Sequence, residues 1–411
     1  MATTSALPGR STGARLSRRA AFMLQSAILI TFMAASSAPT PLYGVYQARW
    51  DFSPITLTVV FGSYAVALLA ALLTVGSLSD HIGRRPVLLG ALLLEAAAML
   101  SFGLADDVEA LLVARILQGV ATGAAMGVLG AGLLDLEHPG FPGRGTLVNS
   151  VTPMIGLALG ALGSSVLVEW LPAPTEAVYV VLMVALLVQA LGVVHSHETA
   201  QPLGGALASL RPRLALPRTA RKAVLICAPS AVASWALGGL YLSLGPTVAR
   251  TVLGSTSHLL GGFVVLSLTG SGAVAVLAAR TATARTAMSV GTLALLCGVG
   301  VTLFGIQDGS AWAFFAGTMV AGVGFGAGFA GALRTVLPLA APQERAGLLA
   351  TFYVISYLAF SVPAVVAGVF VVHVGLLATA RGYAIVVMAL AATALVGLWV
   401  QRPSRSAPSS A

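Results

Sequence analysis

Long apolar segments recur along the whole chain and are separated by short polar breaks. A helix needs about 20 apolar residues to cross a bilayer, within a range of about 17–25, and every segment is near or above that length. The hydrocarbon interior offers no water to the backbone, so each segment must form a helix that satisfies its own hydrogen bonds. We predict twelve spans, at about 21–46, 55–79, 86–104, 108–134, 146–170, 176–194, 222–247, 258–279, 286–306, 311–336, 346–371 and 379–400.

The amino-acid composition agrees with a membrane interior, because only 9% of the 411 residues are charged and 57% are hydrophobic. A soluble protein carries about 25% charged residues. The 46 glycines also fit, since glycine is more frequent in membrane helices than in soluble ones. The composition therefore predicts a polytopic α-helical membrane protein.

The net charge of +9 raises the question of a nucleic-acid partner. Basic residues of membrane proteins gather on cytoplasmic loops, which explains the charge more simply, and we expect no nucleic acid to bind. Cys227 and Cys297 lie inside apolar segments and are interpreted as small buried hydrophobic residues. Their spacing predicts neither a metal site nor a disulfide framework.

The first apolar segment has two interpretations. A basic stretch followed by an apolar run and the small residues Ser36, Ser37 and Ala38 is typical of a cleaved secretory signal. Against cleavage, Pro39 directly follows these residues, and the apolar run continues to about Tyr46, which is long enough to span. We therefore predict an uncleaved first helix.

The distribution of basic residues predicts the orientation, because cytoplasmic loops of membrane proteins carry an excess of Lys and Arg. If the N-terminus is cytoplasmic, 18 of the 22 basic residues lie inside: Arg10, Arg15, Arg18, Arg19, Arg84, Arg85, Arg144, Arg211, Arg213, Arg218, Arg221, Lys222, Arg280, Arg285, Arg334, Arg345, Arg402 and Arg405. The outer loops are instead acidic, with Asp51, Asp106, Asp107, Glu109, Glu169, Glu176 and Asp308. We predict a multi-pass protein of the inner or plasma membrane with both termini cytoplasmic.

The longest internal polar break divides the spans into six and six. It is rich in Pro, Gly and basic residues. A weak repeat supports the division, since Gln118–Ala124 in span 4 aligns with Ala321–Ala327 in span 10 at an offset of 203 residues. Alternating-access transporters are built from such repeated halves. The predicted organisation is a cytoplasmic tail at 1–20, a six-helix bundle at 21–194, a cytoplasmic linker at 195–221, a six-helix bundle at 222–402 and a tail at 403–411.

The loop between spans 2 and 3, with the sequence GSLSDHIGRRP, is the most specific polar stretch in the chain. Gly76 allows two helices to approach closely at the membrane edge. The Asp80 carboxylate is costly there unless it is paired, and Arg84 and Arg85 are natural partners. Gly83 permits a tight turn. An ordinary basic loop would explain the arginines but not the Gly, Asp, Gly spacing.

This loop carries a resemblance to a known family. The pattern Gly76-x-Leu78-x-Asp80-x-x-Gly83-Arg84-Arg85 resembles the signature loop of the major facilitator superfamily, and Arg115-x-x-Gln118-Gly119 followed by Gly123-Ala124 is similar to its second motif. Span count, orientation and the division into halves extend the resemblance over the whole chain. It implies two pseudo-symmetric helical bundles around a central cavity, which rock between inward-open and outward-open states.

The resemblance also implies a conformational lock at the cytoplasmic side, formed between the bundles by Gly76, Asp80, Gly83, Arg84 and Arg85. The equivalent loop of the second half, residues 278–285, keeps basic charge but has neither Gly nor Asp. One half of a symmetrical lock is therefore expected to be degenerate.

The glycines of span 5 have two interpretations. They partly resemble the glycine-rich motif of proton-coupled exporters in the superfamily, although the Gly-Pro pair of that motif is replaced by Gly160-Ala161. Close helix packing through small residues is the alternative. The glycines for which we expect such packing are Gly119 and Gly123 in span 4 and Gly156, Gly160 and Gly163 in span 5.

Two ionisable residues are predicted inside the membrane. Arg115 in span 4 and Glu95 in span 3 lie about 12–14 Å deep from opposite sides, at about 1.5 Å per residue, so they could approach each other near mid-membrane. Intramembrane charges are functional candidates. Arg115 is interpreted as a cavity charge or part of proton coupling. Glu95 is the second candidate for proton coupling, after Arg115. The alternatives are that Glu95 neutralises a buried partner or stays protonated.

Span 1 has no acidic residue, whereas many proton-coupled multidrug exporters of the superfamily place a carboxylate there. The predicted cavity instead combines few polar groups with aromatic rings, which suits a moderately hydrophobic ligand. Simple packing is the alternative at each position. The candidates are Gln25, Phe32, Ser36 and Thr40 in span 1, Gln118 in span 4, Asn149 in span 5, Trp235 and Tyr241 in span 7, and Tyr353 and Tyr357 in span 11.

The glycine pattern Gly326-x-Gly328-x-x-Gly331 matches a dinucleotide fingerprint literally, but it lies in a membrane span without a βαβ unit. We interpret it as glycines that let span 10 bend or pack tightly. No P-loop, metal cluster or nucleophile–base arrangement is recognisable in the sequence. We therefore expect no cofactor, no metal and no enzymatic activity.

The leading functional prediction is a secondary active transporter that exports small organic molecules with proton coupling. The alternative is an importer of a sugar, organic acid or other metabolite by proton symport. A membrane enzyme or a sensor is the third possibility, and it is disfavoured because we expect no soluble signalling domain. The expected partners are a small-molecule substrate, protons and the lipid bilayer, and the expected oligomeric state is a monomer.

Overall fold

The computed structural model describes residues 15–400 except 202, 213 and 342. Most of the two predicted tails lies outside the described residues, as do Arg10, Arg213, Arg402 and Arg405. Helices make up nearly all of the described chain, which contains no strand. Twelve helices are long and apolar enough to cross a membrane. The predicted all-α fold with twelve spans is confirmed.

The helices of the first half agree with the predicted spans to within a few residues. Span 1 consists of two helices in series, and a short helix, Ser79–Ile82, lies in the loop after span 2. Spans 1 to 6 are Arg18–Ser37 continued by Pro39–Trp50, Pro54–Val75, Arg84–Gly103, Val108–Asp135, Arg144–Trp170 and Pro174–Val194.

The second half repeats this organisation after a linker that contains one helical turn, Ala206–Ser209. Span 7 is followed by the helix Gly245–Leu253, and span 10 is interrupted by the π-helical turn Gly324–Gly328. Spans 7 to 12 are Arg218–Ser243, Leu259–Ala278, Ala284–Asp308, Ala311–Val323 continued after the π turn by Phe329–Val336, Arg345–Val374, and Leu376–Val400.

Local sequence signals explain where these helices begin and end. Ser53 and Asp107 precede spans 2 and 4, and their side chains accept hydrogen bonds of 3.2 Å and 2.7 Å from backbone N–H groups of the first turn. Gly309 and Gly375 end spans 9 and 11 with φ angles of +70° and +85°. Glycine adopts this backbone conformation without the steric cost of a Cβ atom.

The spans pack into two six-helix bundles that lie side by side. In the first bundle, span 4 packs on spans 2 and 3, span 3 on span 6, and span 1 on span 5. In the second bundle, span 10 packs on spans 8 and 9, span 9 on span 12, and span 7 on span 11. The bundles meet mainly through span 5 against span 8 and span 2 against span 11.

The two ends of the molecule differ in charge. We call the end with the loop Gly76–Pro86 and the linker the basic end, and the end with Asp106 and Asp308 the acidic end. Because successive spans run in opposite directions, span 1 begins at the basic end and its last residues lie at the acidic end.

The bundles contact each other at the acidic end. The Thr40 hydroxyl of span 1 donates to the Leu242 carbonyl of span 7 at 2.8 Å. Glu169, at the end of span 5, accepts hydrogen bonds from the Ser257 hydroxyl at 3.2 Å and the His258 N–H at 2.9 Å. The first bond joins span 1 to span 7, and the other two join span 5 to the residues just before span 8, so the two bundles are bonded together at the acidic end.

The linker bonds to both bundles at the basic end. The Leu203 N–H donates to the Asp80 carbonyl at 3.1 Å, and the Ala215 N–H donates to the Gly347 carbonyl at 3.1 Å. The Thr351 hydroxyl also donates to the Ala215 carbonyl at 3.0 Å. The linker is therefore held against the first bundle near its start and against span 11 near its end.

Glycines of span 10 bring its backbone against neighbouring spans. An ideal Cβ atom at Gly322 would lie 2.3 Å from the Leu268 carbonyl oxygen, and one at Gly326 would lie 2.3 Å from the Gly272 carbonyl oxygen, both in span 8. The expectation of tight packing is confirmed at Gly326 and at Gly331, where a Cβ atom would lie 2.4 Å from the Met288 nitrogen of span 9. At Gly328 the nearest atom would lie 3.6 Å away, which is an ordinary contact. The π turn lies within the same glycine-rich stretch.

Glycines of spans 4 and 5 also permit close helix contacts. A Cβ atom at Gly119 or Gly123 would lie 2.5 Å or 2.4 Å from carbonyl oxygens of span 2, and one at Gly156 or Gly160 would lie 2.6 Å or 2.1 Å from carbonyl oxygens of span 1. The packing prediction is wrong at Gly163, where a Cβ atom would meet nothing within 4 Å. The backbone of span 1 approaches span 5 most closely at Gly160, and it does not cover Gly163, which is exposed.

One cysteine prediction also needs correction. Cys227 is buried, and its thiol lies 3.6 Å from the Met288 sulfur. Cys297 is exposed, because its position on span 9 faces away from the neighbouring helices.

We predict that Gly160→Ala destabilises the folded protein by about 1–3 kcal/mol, because the added methyl group must displace backbone atoms of span 1. Thermal unfolding in detergent measures the effect. Gly163→Ala is the matched control, and we expect it to leave the melting temperature unchanged or slightly raised, since alanine favours helix over glycine by about 1 kcal/mol. Equal melting temperatures for the two variants would contradict this account of span packing.

Candidate functional site

Arg115 is fully buried inside the first bundle, on span 4. Its Nε donates to the Tyr43 hydroxyl at 2.9 Å, and Nη2 also donates to that hydroxyl. Nη1 donates to the Ser36 carbonyl at 3.1 Å and to the Gln118 side-chain oxygen at 2.6 Å. The guanidinium is therefore satisfied by neutral oxygens, as a buried charge requires.

Aromatic rings complete the surroundings of Arg115. The guanidinium carbon lies 5.4 Å from the ring centre of Tyr43, 5.3 Å from that of Tyr64 and 5.8 Å from that of Phe102. A cation within about 6 Å of an aromatic ring is attracted by the negative charge of its face. Spans 1, 2 and 3 each supply one ring, so Arg115 ties four spans together.

Glu95 of span 3 is fully buried on the other side of Gln118. The Gln118 amide nitrogen donates to Glu95 Oε1 at 3.3 Å, and the Thr122 hydroxyl donates to Glu95 Oε2 at 3.4 Å. Arg115, Gln118 and Thr122 are spaced i, i+3 and i+7, which places them on one face of span 4. Gln118 thus accepts from Arg115 and donates to Glu95, so that its amide joins the two ionisable groups.

The four candidates in span 1 occupy different surroundings. Ser36 lies 2.6 Å from the Tyr64 hydroxyl, and Thr40 bonds to span 7 at the acidic end. Phe32 is fully buried in the core of the first bundle. Gln25 is nine-tenths buried, and its side-chain oxygen has no hydrogen-bond partner among the described residues.

The second bundle supplies an aromatic cluster centred on Trp235. The ring centre of Trp235 lies 4.9 Å from that of Tyr357, 5.3 Å from that of Phe329 and 5.8 Å from that of Phe360. Tyr353 adds a further ring, 6.3 Å from Tyr357. Trp235 and Tyr357 are partly exposed, and Phe360 packs on Phe61 of span 2 with ring centres 5.0 Å apart, so the cluster lies at the interface between the bundles.

Two predicted cavity residues lie apart from this cluster. Tyr241 is buried within the second bundle, where its hydroxyl lies 2.9 Å from that of Thr318. Asn149 is exposed on span 5 and faces Gly130 of span 4. The structure therefore brings together Trp235, Tyr353 and Tyr357 but not Tyr241 or Asn149.

The loop after span 2 is held by a network of charges within the first bundle. Arg84 pairs with Asp80, lies 3.3 Å from Asp135 at the end of span 4, and donates to the Ser79 hydroxyl at 2.8 Å. The carboxylate of Glu198 in the linker accepts the backbone N–H of Arg84 at 2.8 Å. Asp80 therefore orients Arg84, which connects the loop to span 4.

Neighbouring residues fix the backbone of this loop. The Arg85 N–H donates to Glu198 at 3.0 Å, and its guanidinium donates to the Val194 carbonyl. Gly83 has a φ of +105°, a conformation that favours glycine. A Cβ atom at Gly127 of span 4 would lie 2.4 Å from the Gly76 carbonyl oxygen, so the helices approach closely here. All these contacts stay within the first bundle and the linker, and the lock between bundles stays a prediction.

Sequence reasoning missed several residues of the site. Tyr43, Tyr64 and Thr122 lie in apolar spans and carry no motif, although the spacing of Thr122 four residues after Gln118 places both on one helix face. Asp135 and Glu198 were also missed as partners of Arg84. Carboxylates next to a basic loop at the same end of the molecule are the signal that could have found them.

The structure has two six-helix bundles, with two buried ionisable groups in the first bundle and an aromatic cluster at the interface between the bundles. This architecture is typical of polytopic membrane transporters. The family model described as Major Facilitator Superfamily matches residues 24–359. The chain belongs to that superfamily.

Known proteins agree with this assignment. A segment of 149 residues is 32% identical to the multidrug resistance protein MdtL of Shewanella oneidensis, and it covers 36% of this chain and 37% of that relative. The chain thus spans little more than a third of this relative's length. Solved structures with the same fold include a mutant of the nucleoside transporter NupG, with a TM-score of 0.69, 12% identity and coverage of 92% of this chain and 98% of that one. The human organic anion transporter MFSD10 (TETRAN) has a TM-score of 0.66, 17% identity and coverage of 92% and 100%.

We predict that Asp80→Asn leaves the protein folded but lowers the transport rate by about tenfold or more. Asparagine keeps an acceptor oxygen but loses the charge that pairs with Arg84. An ion pair this exposed contributes only about 0–1 kcal/mol to stability, so the main effect is weaker orientation of Arg84. Transport in proteoliposomes and thermal unfolding in detergent test the two halves of the prediction. Asp106→Asn, at the opposite end of the molecule, is the control for loss of an exposed carboxylate. Wild-type turnover in Asp80→Asn would show that the loop does not govern transport.

Proposed function

We propose that the chain is a secondary active transporter that exports small organic molecules in exchange for protons by alternating access. The observation that carries this proposal is the fully buried Glu95 carboxyl, joined through Gln118 to Arg115 of the superfamily motif. A carboxyl group in a membrane interior is costly and marks proton pathways in transporters. The similarity of one segment to a multidrug resistance protein supports export.

The aromatic cluster supports a moderately hydrophobic, aromatic substrate. Trp235, Tyr353 and Tyr357 present partly exposed rings at the interface between the bundles. Such rings contribute large contact areas and stack on planar ligands. Gln25, whose side-chain oxygen has no hydrogen-bond partner among the described residues, and Ser36 are two polar residues of the first bundle that could orient a substrate.

We further propose that the basic end faces the cytoplasm, as the positive-inside rule predicts, with both termini on that side. The chain would then lie in the inner or plasma membrane. The acidic end, where the bonds of Thr40 and Glu169 join the two bundles, would face outward. The conformation described above would accordingly be the inward-facing state, and Asp80 with its neighbouring arginines would lock the basic end when the bundles rock.

We predict that Glu95→Gln abolishes proton-driven transport but spares exchange of substrate across the membrane. Glutamine keeps the size and hydrogen-bonding capacity of the side chain but cannot carry a proton. Proteoliposomes with an imposed pH gradient and a panel of aromatic cations, neutral compounds and organic anions measure both activities. Glu109→Gln, which changes an exposed carboxylate at the start of span 4, is the matched control. Unchanged proton-driven transport in Glu95→Gln would exclude Glu95 as the carrier, and accumulation in the direction opposite to export would identify an importer.

We predict that Trp235→Ala raises the KM for aromatic substrates by about tenfold, because stacking between aromatic rings contributes about 0.5–1.5 kcal/mol beyond the area buried. Concentration-dependent transport by the variant and by the wild type measures this change. Trp312→Ala removes a tryptophan that is 88% exposed and is the control. An unaltered KM across the panel would place the substrate elsewhere.

A further inference from the structure

The basic ends of the two bundles differ in how their charge is balanced. In the first bundle, Arg84 pairs with Asp80 and lies 3.3 Å from Asp135. In the second bundle, the stretches that join spans 8 to 9 and 10 to 11 contain a single acid, Glu344. The basic residues of these stretches are Arg280, Arg285, Arg334 and Arg345. This end of the second bundle therefore has an excess of positive charge.

A groove lies between spans 9 and 12 at this end of the molecule. Its volume is about 430 Å³, and it is lined by Arg285 and Ser289 of span 9 and by Leu395, Val396, Leu398 and Trp399 of span 12. Arg285 lies in the first turn of span 9, and its Nη2 donates to the Leu398 carbonyl at 2.7 Å. This bond holds the guanidinium at the groove, so the groove has a charged edge and an apolar wall.

The groove faces the membrane and not the other bundle. The bundles meet mainly through spans 5 and 8 and spans 2 and 11, which leaves the outer faces of spans 9 and 12 to the lipid. Val396 is 61% exposed and Trp399 is 65% exposed. Trp399 is the next-to-last residue of span 12, and tryptophan is enriched where a membrane helix meets the headgroup layer. The groove therefore lies at the boundary between headgroups and acyl chains.

The lining suits a lipid with an anionic headgroup. A guanidinium attracts a phosphate group by its charge and matches it with a planar fork of N–H donors. The wall formed by Leu395 and Val396 suits an acyl chain, for which inorganic phosphate has no counterpart. A zwitterionic headgroup brings a cation that the surrounding arginines repel. Basic pockets between membrane helices are known binding sites for anionic lipid headgroups.

We propose that the groove between spans 9 and 12 binds an anionic phospholipid, with the phosphate at Arg285 and an acyl chain along Leu395 and Val396. The proposal concerns the lipid and is independent of the substrate and of the direction of transport. It also gives a role to the basic loop 278–285, which lacks the acid and the glycines of the equivalent loop in the first half.

The test maps where a lipid contacts the full chain. The protein is reconstituted in phosphatidylcholine vesicles with a trace of phosphatidylglycerol that carries a photoactivatable diazirine in one acyl chain, and peptide mass spectrometry locates the label. We expect label on residues 395–399, competed by unlabelled phosphatidylglycerol but not by phosphatidylcholine or inorganic phosphate. A diazirine phosphatidylcholine probe should label the groove about fivefold less or weaker still.

Two variants test the charge at the groove. Arg285→Gln removes it, and we expect labelling by the phosphatidylglycerol probe to fall about fivefold or more. Ser289→Asp instead adds a carboxylate to the groove, which repels phosphate while Arg285 keeps its bond to Leu398, and it should lower labelling similarly. Ser289→Asp also decides the matter if Arg285→Gln does not fold. Thermal unfolding verifies that each variant is folded.

Arg345→Gln is the matched control, because Arg345 is an exposed arginine at the same end that also donates to a backbone carbonyl, that of Ala340 at 3.3 Å. It should leave labelling of the groove unchanged. Wild-type labelling in Arg285→Gln and Ser289→Asp would overturn the proposal and leave Arg285 as a cap for the end of span 12. An equal loss in Arg345→Gln would overturn it in favour of a general effect of surface charge.

The probes themselves can also overturn the proposal. Equal labelling by the two lipid probes would show that the groove does not select an anionic headgroup. Competition by inorganic phosphate would identify a site for a free anion. Absence of label from the groove in the wild type would mean that protein covers it, either the residues after Val400 or a second copy of the chain.

Discussion

The first bundle is built around the cost of removing Arg115 and Glu95 from water. Neither group reaches solvent, and a single amide, that of Gln118, lies between them. Each buried polar atom must find a partner. Span 1 supplies the Tyr43 hydroxyl and a carbonyl to Arg115, and span 4 supplies the Thr122 hydroxyl to Glu95. Span 2 adds the ring of Tyr64, which faces the guanidinium. The polar face of span 4, formed by Arg115, Gln118 and Thr122, therefore determines how the neighbouring spans of the first bundle are placed.

Backbone contacts give the rest of the bundle its shape. Four glycines bring the helices close together, because carbonyl oxygens of the neighbouring helix lie where a side chain of the glycine would begin. They are Gly119, Gly123, Gly156 and Gly160. Membrane helices lack a hydrophobic driving force for association, so close contact and polar bonds must replace it. The positions of the polar side chains therefore depend on the small ones, because the distance between spans decides which hydroxyls can meet.

The sequence carries much of the fold but only part of the site. Segment length alone predicts the twelve spans, and the motif around Arg115 together with the depth of Glu95 predicts that the two approach each other. Tyr64 and Thr122 could not be found in this way, because a hydroxyl in an apolar span looks like packing until its partner on another helix is known. The same limit explains two predictions that failed. Tyr241 lies on span 7 with Trp235, but its hydroxyl contacts Thr318 of span 10 instead of joining the aromatic cluster. At Gly163 no neighbouring atom lies within 4 Å of an added Cβ atom. Periodicity identifies a helix, whereas the partner of each face is set by the tertiary arrangement.

The π turn of span 10 makes this helix differ from span 4, its counterpart in the first half. Span 4 is one unbroken helix that Arg115 anchors to three neighbours, while its counterpart in the second half is interrupted at Gly324–Gly328 by a turn with one residue too many. A continuous helix held by several contacts is rigid along its length, whereas a helix interrupted by a π turn can bend at that turn. The two pseudo-symmetric halves therefore differ in structure, because span 4 is a continuous helix whereas span 10 contains an irregular turn at which a helix can bend.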